Sequence, residues 1–194
     1  MCKSVQKFRK AFFDLPSREF GETYVESILR EILHDDSNNN GNAYDAVRGG
    51  KRVEYKAVRV MYAPACKHDT LYERVMSNVH MSDRIGSLKD IEEGRIVANC
   101  QNIKLDDFDI LDYVLVDNDG FHIFEITADK FKKCAAQHTF PNWSDKHGSK
   151  EGGKNGQFPI KADNLEWHKT NFIKFVSWKD ILTKAKKISL KQKV

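Results

Sequence analysis

The chain has 194 residues, of which 40% are hydrophobic and 31% charged, with 12 Phe and 6 Tyr. That length and composition predict a single folded domain over residues 1–194 and exclude a disordered chain. No apolar run approaches the roughly 20 residues that cross a bilayer, and the opening residues carry no cleavage-site pattern, so the expectation is a cytoplasmic protein with no membrane partner.

Net charge is +4, yet residues 179–194 hold six Lys and one Asp, so the excess is a basic tail and not a uniform coat. Such a tail suits a polyanion through counterion release, and equally suits a solvated terminal helix. The four cysteines, Cys2, Cys66, Cys100 and Cys134, are at least 34 residues apart and form no CxxC pair, which argues for reduced thiols and against a zinc knuckle. His68, His138, His147 and His168 have no tight spacing on a helix, which disfavours histidine ligation of a metal.

Residues 17–33 read as a helix: Pro16 and Ser17 supply start signals, and Phe20, Tyr24, Ile28 and Ile32 recur every fourth position. The polar run 34–41 predicts a loop. Strand-like runs at 42–47 and 52–61 flank Gly49-Gly50, a hairpin signal because a type I′ turn needs positive φ at both central residues. A weak helical pattern covers 71–81, and Ile96-Val97-Ala98 predicts a strand. Runs 108–116 and 121–126 around Asp117-Asn118-Asp119-Gly120 give the clearest sheet signal. Residues 128–136 look helical, 137–163 read as a long polar, glycine-rich loop, and a last helix starts near Ser177.

If Gly49 and Gly50 form the turn, Arg48 pairs with Lys51, Val47 with Arg52, Ala46 with Val53, and Asp45 with Glu54. Directly opposed side chains have Cβ atoms about 5 Å apart, and Lys56 shares the face of Glu54. Two facing carboxylates repel unless a cation lies between them, and hard oxygen donors suit magnesium. Hydrolysis of a phosphodiester needs a Lewis acid, an activated water and a positive group for developing charge, which this short segment can supply. At 100° per residue Glu22 falls near the buried stripe of the first helix and is a further candidate acid, with Glu26 the weaker choice. Glu54-Tyr55-Lys56 is the single acid-x-Lys triplet in the chain. Its weight comes from apolar neighbours that place the charges inside a sheet.

Asn42-Ala43-Tyr44-Asp45-Ala46-Val47 followed by Val53-Glu54-Tyr55-Lys56 resembles the catalytic hairpin of the PD-(D/E)XK nucleases, and within them the type II restriction endonucleases. Tyr44 stands where the motif's name calls for Pro. The resemblance covers about 40 residues, and it implies an α/β restriction-endonuclease-like core with a central mixed sheet flanked by helices. It also implies Mg2+, for which Mn2+ can substitute, held by Asp45, Glu54 and the Tyr55 backbone carbonyl, with Lys56 assisting the attacking water. Glu22 matches the family's first-helix acid. The implied activity is sequence-specific cleavage of double-stranded DNA by a homodimer. Gln101, Lys104, Lys146, His147, Lys150, Lys154, Asn155 and Gln157 are candidate DNA contacts, because amides and ammonium groups match base edges and phosphates. The alternatives are a phage, repair or structure-selective nuclease on the same fold, and a DNA-binding module without catalysis.

Overall fold

The computed structural model describes residues 2–37, 44–63, 70, 72, 80–136, 144–145 and 156–188. Helix α1 (Lys3–Phe13), which the sequence pattern did not announce, buries Val5, Phe12 and Phe13. The helix expected over 17–33 is present but of two kinds: Glu19–Val25 is wound as a π-helix and runs into the α-helix α2 (Glu26–Leu33). In the π segment the backbone bonds to the fifth residue back, as the Glu26 N–H does to the Gly21 carbonyl, and the buried pair Phe20 and Val25 follows that wider step. His34, at φ 59°, ends α2 in the left-handed conformation and turns the chain into Asp35.

Among the described residues six strands form the main sheet, in the order β1 (Asp36–Ser37), β2 (Ala46–Arg48), β3 (Lys51–Arg59), β5 (Ile110–Val116), β6 (Gly120–Thr127) and β9 (Phe172–Ser177). The β3–β5 pair is parallel and the other pairs are antiparallel, so the sheet is mixed and the domain is α/β. A second sheet orders β4 (Ala98–Ile103), β8 (Gly156–Ile160) and β7 (Ser144–Asp145).

The β5 sequence Ile-Leu-Asp-Tyr-Val-Leu-Val is buried throughout, as expected for a central strand covered on both faces. One face packs Val53, Tyr55, Val114 and Phe121 against α1, α2 and α6 (Trp178–Ala185). The other packs Val58, Leu111, Tyr113 and Phe124 against Cys100, Phe158 and the short helix α3 (Leu88–Glu92). Helix α4 (Ala128–Ala136) has the expected limits, and α6 follows the Ser177 cap whose hydroxyl accepts from the Asp180 N–H.

The loop expected over 137–163 needs correction at its end. Gly156, Phe158 and Ile160 alternate inward from β8, which pairs with β4, and α5 (Leu165–Lys169) and β9 follow. Glycine and proline in Gly156-Gln157-Phe158-Pro159-Ile160 hide a two-residue period that only the buried side of the strand obeys. The strand expected at Ile96 starts at Ala98. The helix expected over 71–81 lies largely outside the described residues; Met81–Arg84 is a 3-10 turn.

Candidate active site

The hairpin register is the one its turn requires. Ala46 pairs with Val53, Val47 with Arg52 and Arg48 with Lys51, while Gly49 and Gly50 sit at φ 55° and 78°. Asp45 leaves that register: its N–H donates to the Val53 carbonyl at 2.9 Å, at the point where the ladder would have set it opposite Glu54. There β2 stops and β3 continues, so the β3 edge from Glu54 onward lacks a β2 partner. Asp45 closes the gap with its side chain: Oδ2 accepts from the Tyr55 N–H at 2.7 Å. Arg30 of α2 donates to the Asp45 carbonyl at 3.4 Å.

Glu54 and Lys56 share one face of β3, and Lys56 Nζ donates to Glu54 Oε1. Glu54 Oε2 is buried without a hydrogen-bond partner. Burial pushes the Glu54 carboxyl up to about 7; Lys56 pulls it down and Asp45 pushes it further up. The Asp45 carboxyl is also raised, by burial, against the pull of the Tyr55 N–H, of Lys56 and of a side-chain contact with Glu54. Burial alone would lower Lys56, but the Glu54 charge outweighs it and holds the ammonium above its ordinary value.

The helix acid at this site is Glu26, and the expectation for Glu22 is corrected. Glu22 lies at the surface in an i,i+4 pair with Arg18 at 2.7 Å. Glu26, one residue past the π segment, is raised to about 8 by burial and by the charges of Asp45 and Glu54, against Lys56 and Arg30. Counting 100° per residue back from Leu29 and Leu33 fails for Glu22 because the π turns of Glu19–Val25 advance the side chains by less per residue, and Glu22 is left on the exposed side. A π-helix leaves no mark in an apolar pattern this short.

Gln101 is exposed on β4, and Lys104 pairs with Asp107 at 3.8 Å while its charge reaches Glu54. Gln157 lies on the outward side of β8, where Oε1 accepts from Asn99 Nδ2 at 3.2 Å. Asn99 was not singled out in the sequence, although its place opposite the buried Ala98 and Cys100 on an alternating strand is the signal that finds it. Lys146, His147, Lys150, Lys154 and Asn155 lie outside the described residues.

Among the described residues no group of three or more His, Cys, Asp or Glu side chains is arranged to hold a metal ion. The smaller set fits a hard cation in its chemistry: two adjacent carboxyls, both raised by burial, one of them with a buried oxygen that has no hydrogen-bond partner among the described residues. No helix among the described residues is long and apolar enough to cross a membrane. No family model, curated protein or solved structure matches the chain.

Proposed function

We propose that this chain is a magnesium-dependent endonuclease of the PD-(D/E)XK type that hydrolyses double-stranded DNA, in the manner of a type II restriction enzyme acting as a homodimer. The observation that carries the reading is the convergence of Asp45, Glu54 and Lys56 where β2 leaves the edge of β3, with Glu26 brought in by α2. The sequence motif and the orphaned Glu54 Oε2 support it.

Asp45, Glu54 and the Tyr55 backbone carbonyl would hold the ion, and its chemistry when bound is Lewis acidity at the scissile phosphate. Lys56 keeps its proton beside Glu54, so its part is that of a positive donor for a phosphate oxygen as negative charge grows there. Glu26 also holds a proton near neutral pH and can donate a hydrogen bond into the site. Hydrolysis forms a bond from a water oxygen to phosphorus and breaks the bond from phosphorus to the departing sugar oxygen, which leaves with a proton. Of the candidate DNA contacts, Gln101, Lys104 and Gln157 fall among the described residues, and they would meet DNA through amide pairing with base edges and through phosphate contact.

The test is incubation of the purified protein with phage DNA in magnesium, and again with chelator. Discrete fragments in magnesium alone support a restriction enzyme, and unspecific degradation supports another nuclease on this fold. Binding without cleavage under any divalent ion would overturn the catalytic reading in favour of a DNA-binding module.

A further inference from the structure

The face of β3 turned away from Glu54 and Lys56 carries a second group of charges. Arg48, the last residue of β2 before the Gly49-Gly50 turn, makes a two-pronged contact with Asp35, Nε to Oδ1 and Nη2 to Oδ2 at 2.6 Å each. It also donates to Asp112 Oδ2 at 2.6 Å and to Glu125 Oε2 at 2.5 Å. The partners come from three places: the residue after the α2 cap, the central strand β5, and β6. The Tyr55 hydroxyl joins the group by donating to Asp35.

Tyr55 therefore reaches both sides of its strand. Its ring, 2% exposed, ends on Asp35, while its backbone N–H holds the Asp45 carboxylate. We infer that Arg48, Asp35 and Tyr55 are positioning residues for the hairpin, fixing the 54–56 segment of β3 so that Glu54 and Lys56 meet Asp45. The inference rests on the endonuclease reading for its consequence in cleavage, but the positioning itself is a property of the folded chain.

Two arguments carry it. The β2–β3 ladder is three pairs long, and past its last pair, Ala46–Val53, Asp45 is tied to β3 only through its own N–H and carboxylate, so contacts beyond the ladder bear on how Asp45 meets Glu54 and Lys56. Buried ion pairs contribute little net stability compared with apolar residues of the same volume, so a fully buried Asp35 and Asp112 around one guanidinium are poorly explained by stability alone. The arrangement gives direction: a planar fork locks onto a carboxylate in one orientation, and that carboxylate receives the tyrosine.

The experiment compares Tyr55→Phe, which keeps the ring, with Arg48→Lys and Arg48→Met. Amide hydrogen exchange reads the bond from position 55 to Asp45 directly, with Val114 in the middle of β5 as the reference for global opening. The expected result is a loss of protection at position 55 of about tenfold or more in Tyr55→Phe and Arg48→Met, a smaller loss in Arg48→Lys, and no matching change at Val114. If the wild type cleaves DNA, its single-turnover rate falls in the same order while the Kd for DNA stays put. Unchanged protection at position 55 in Tyr55→Phe overturns the inference, even if Arg48→Met fails to fold. A wild type that cuts no DNA, with protection lost as expected, removes the endonuclease reading and leaves the positioning role standing.

Discussion

On either side of Tyr55 the strand β3 faces the same inventory of charge, three carboxyls and one basic side chain, wired differently. Toward the edge, Lys56 donates to Glu54 alone, while the charges of Asp45 and Glu54 raise Glu26 and that of Asp45 raises Glu54. Toward α2, the Arg48 fork reaches Asp35, Asp112 and Glu125 together. An ammonium is a compact point charge, whereas a guanidinium presents five donors in a fixed plane, so the choice of base decides how many acid oxygens remain open to something else. The lysine engages one acid oxygen and the arginine four, and each side keeps one buried oxygen without a partner among the described residues, Glu54 Oε2 and Asp112 Oδ1.

The contrast breaks most visibly if the lysine is removed. Lys56→Ala is expected to slow DNA cleavage by about a thousandfold, the order associated with loss of one preorganised charge-stabilising donor, with the Kd for DNA nearly unchanged. A variant that cuts at near the wild-type rate would remove Lys56 from the site. On the opposite face the damage should fall on folding: Arg48→Met leaves buried carboxylates without a counter-charge and should cost about 3 to 5 kcal/mol, read from the urea midpoint. The two helix acids make a sharper pair. Glu26→Gln should lower cleavage by roughly ten- to a hundredfold, as for a displaced acid–base or ligand group, and Glu22→Gln should leave it where it was.

A further contrast is in stability against pH. Glu54 and Asp112 are raised to about 7 and Glu26 to about 8, chiefly by burial. Below about pH 4 the folded and unfolded chains both keep these protons, and nothing is lost. As pH climbs toward 7 or 8 the unfolded chain releases them first, so unfolding gains and the thermal midpoint should drift down. Magnesium at pH 8 should restore part of the loss by binding the folded state, in wild type but not in Glu54→Gln. Asp112→Asn should flatten the drift without changing the magnesium response. A magnesium response that survives Glu54→Gln would place the ion elsewhere.

How much of this was readable beforehand follows from the range of the forces involved. The register from Arg48–Lys51 to Ala46–Val53 is legible because two glycines fix a two-residue turn and counting back from it needs no tertiary information, but the Asp45–Glu54 pair counted one step further is replaced by bonds from Asp45 to the Val53 carbonyl and the Tyr55 N–H. Glu26 reads as the weaker acid because periodicity sets it toward the polar face, and nothing local announces the π turns of Glu19–Val25 that leave Glu22 exposed. The Arg48 cluster was out of reach: its partners lie 13, 64 and 77 residues away in the sequence, and a polar residue beside a Gly-Gly turn looks like any solvated flank. Strand β8 was missed because one covered face shows only three apolar positions amid glycine and proline.

The parallel ladder between β3 and β5 sets Val53 opposite Ile110, with α3 and β4 strung between them. The hairpin can close early, within a few residues of its own turn, but Asp112 and Glu125 reach Arg48 only once that long crossover has docked. During refolding the chain should therefore pass through an interval in which the turn exists and the carboxylates of β5 and β6 still face water. Ordering of Glu54 and Lys56 then waits on the slowest contact in the sheet and not on the fastest.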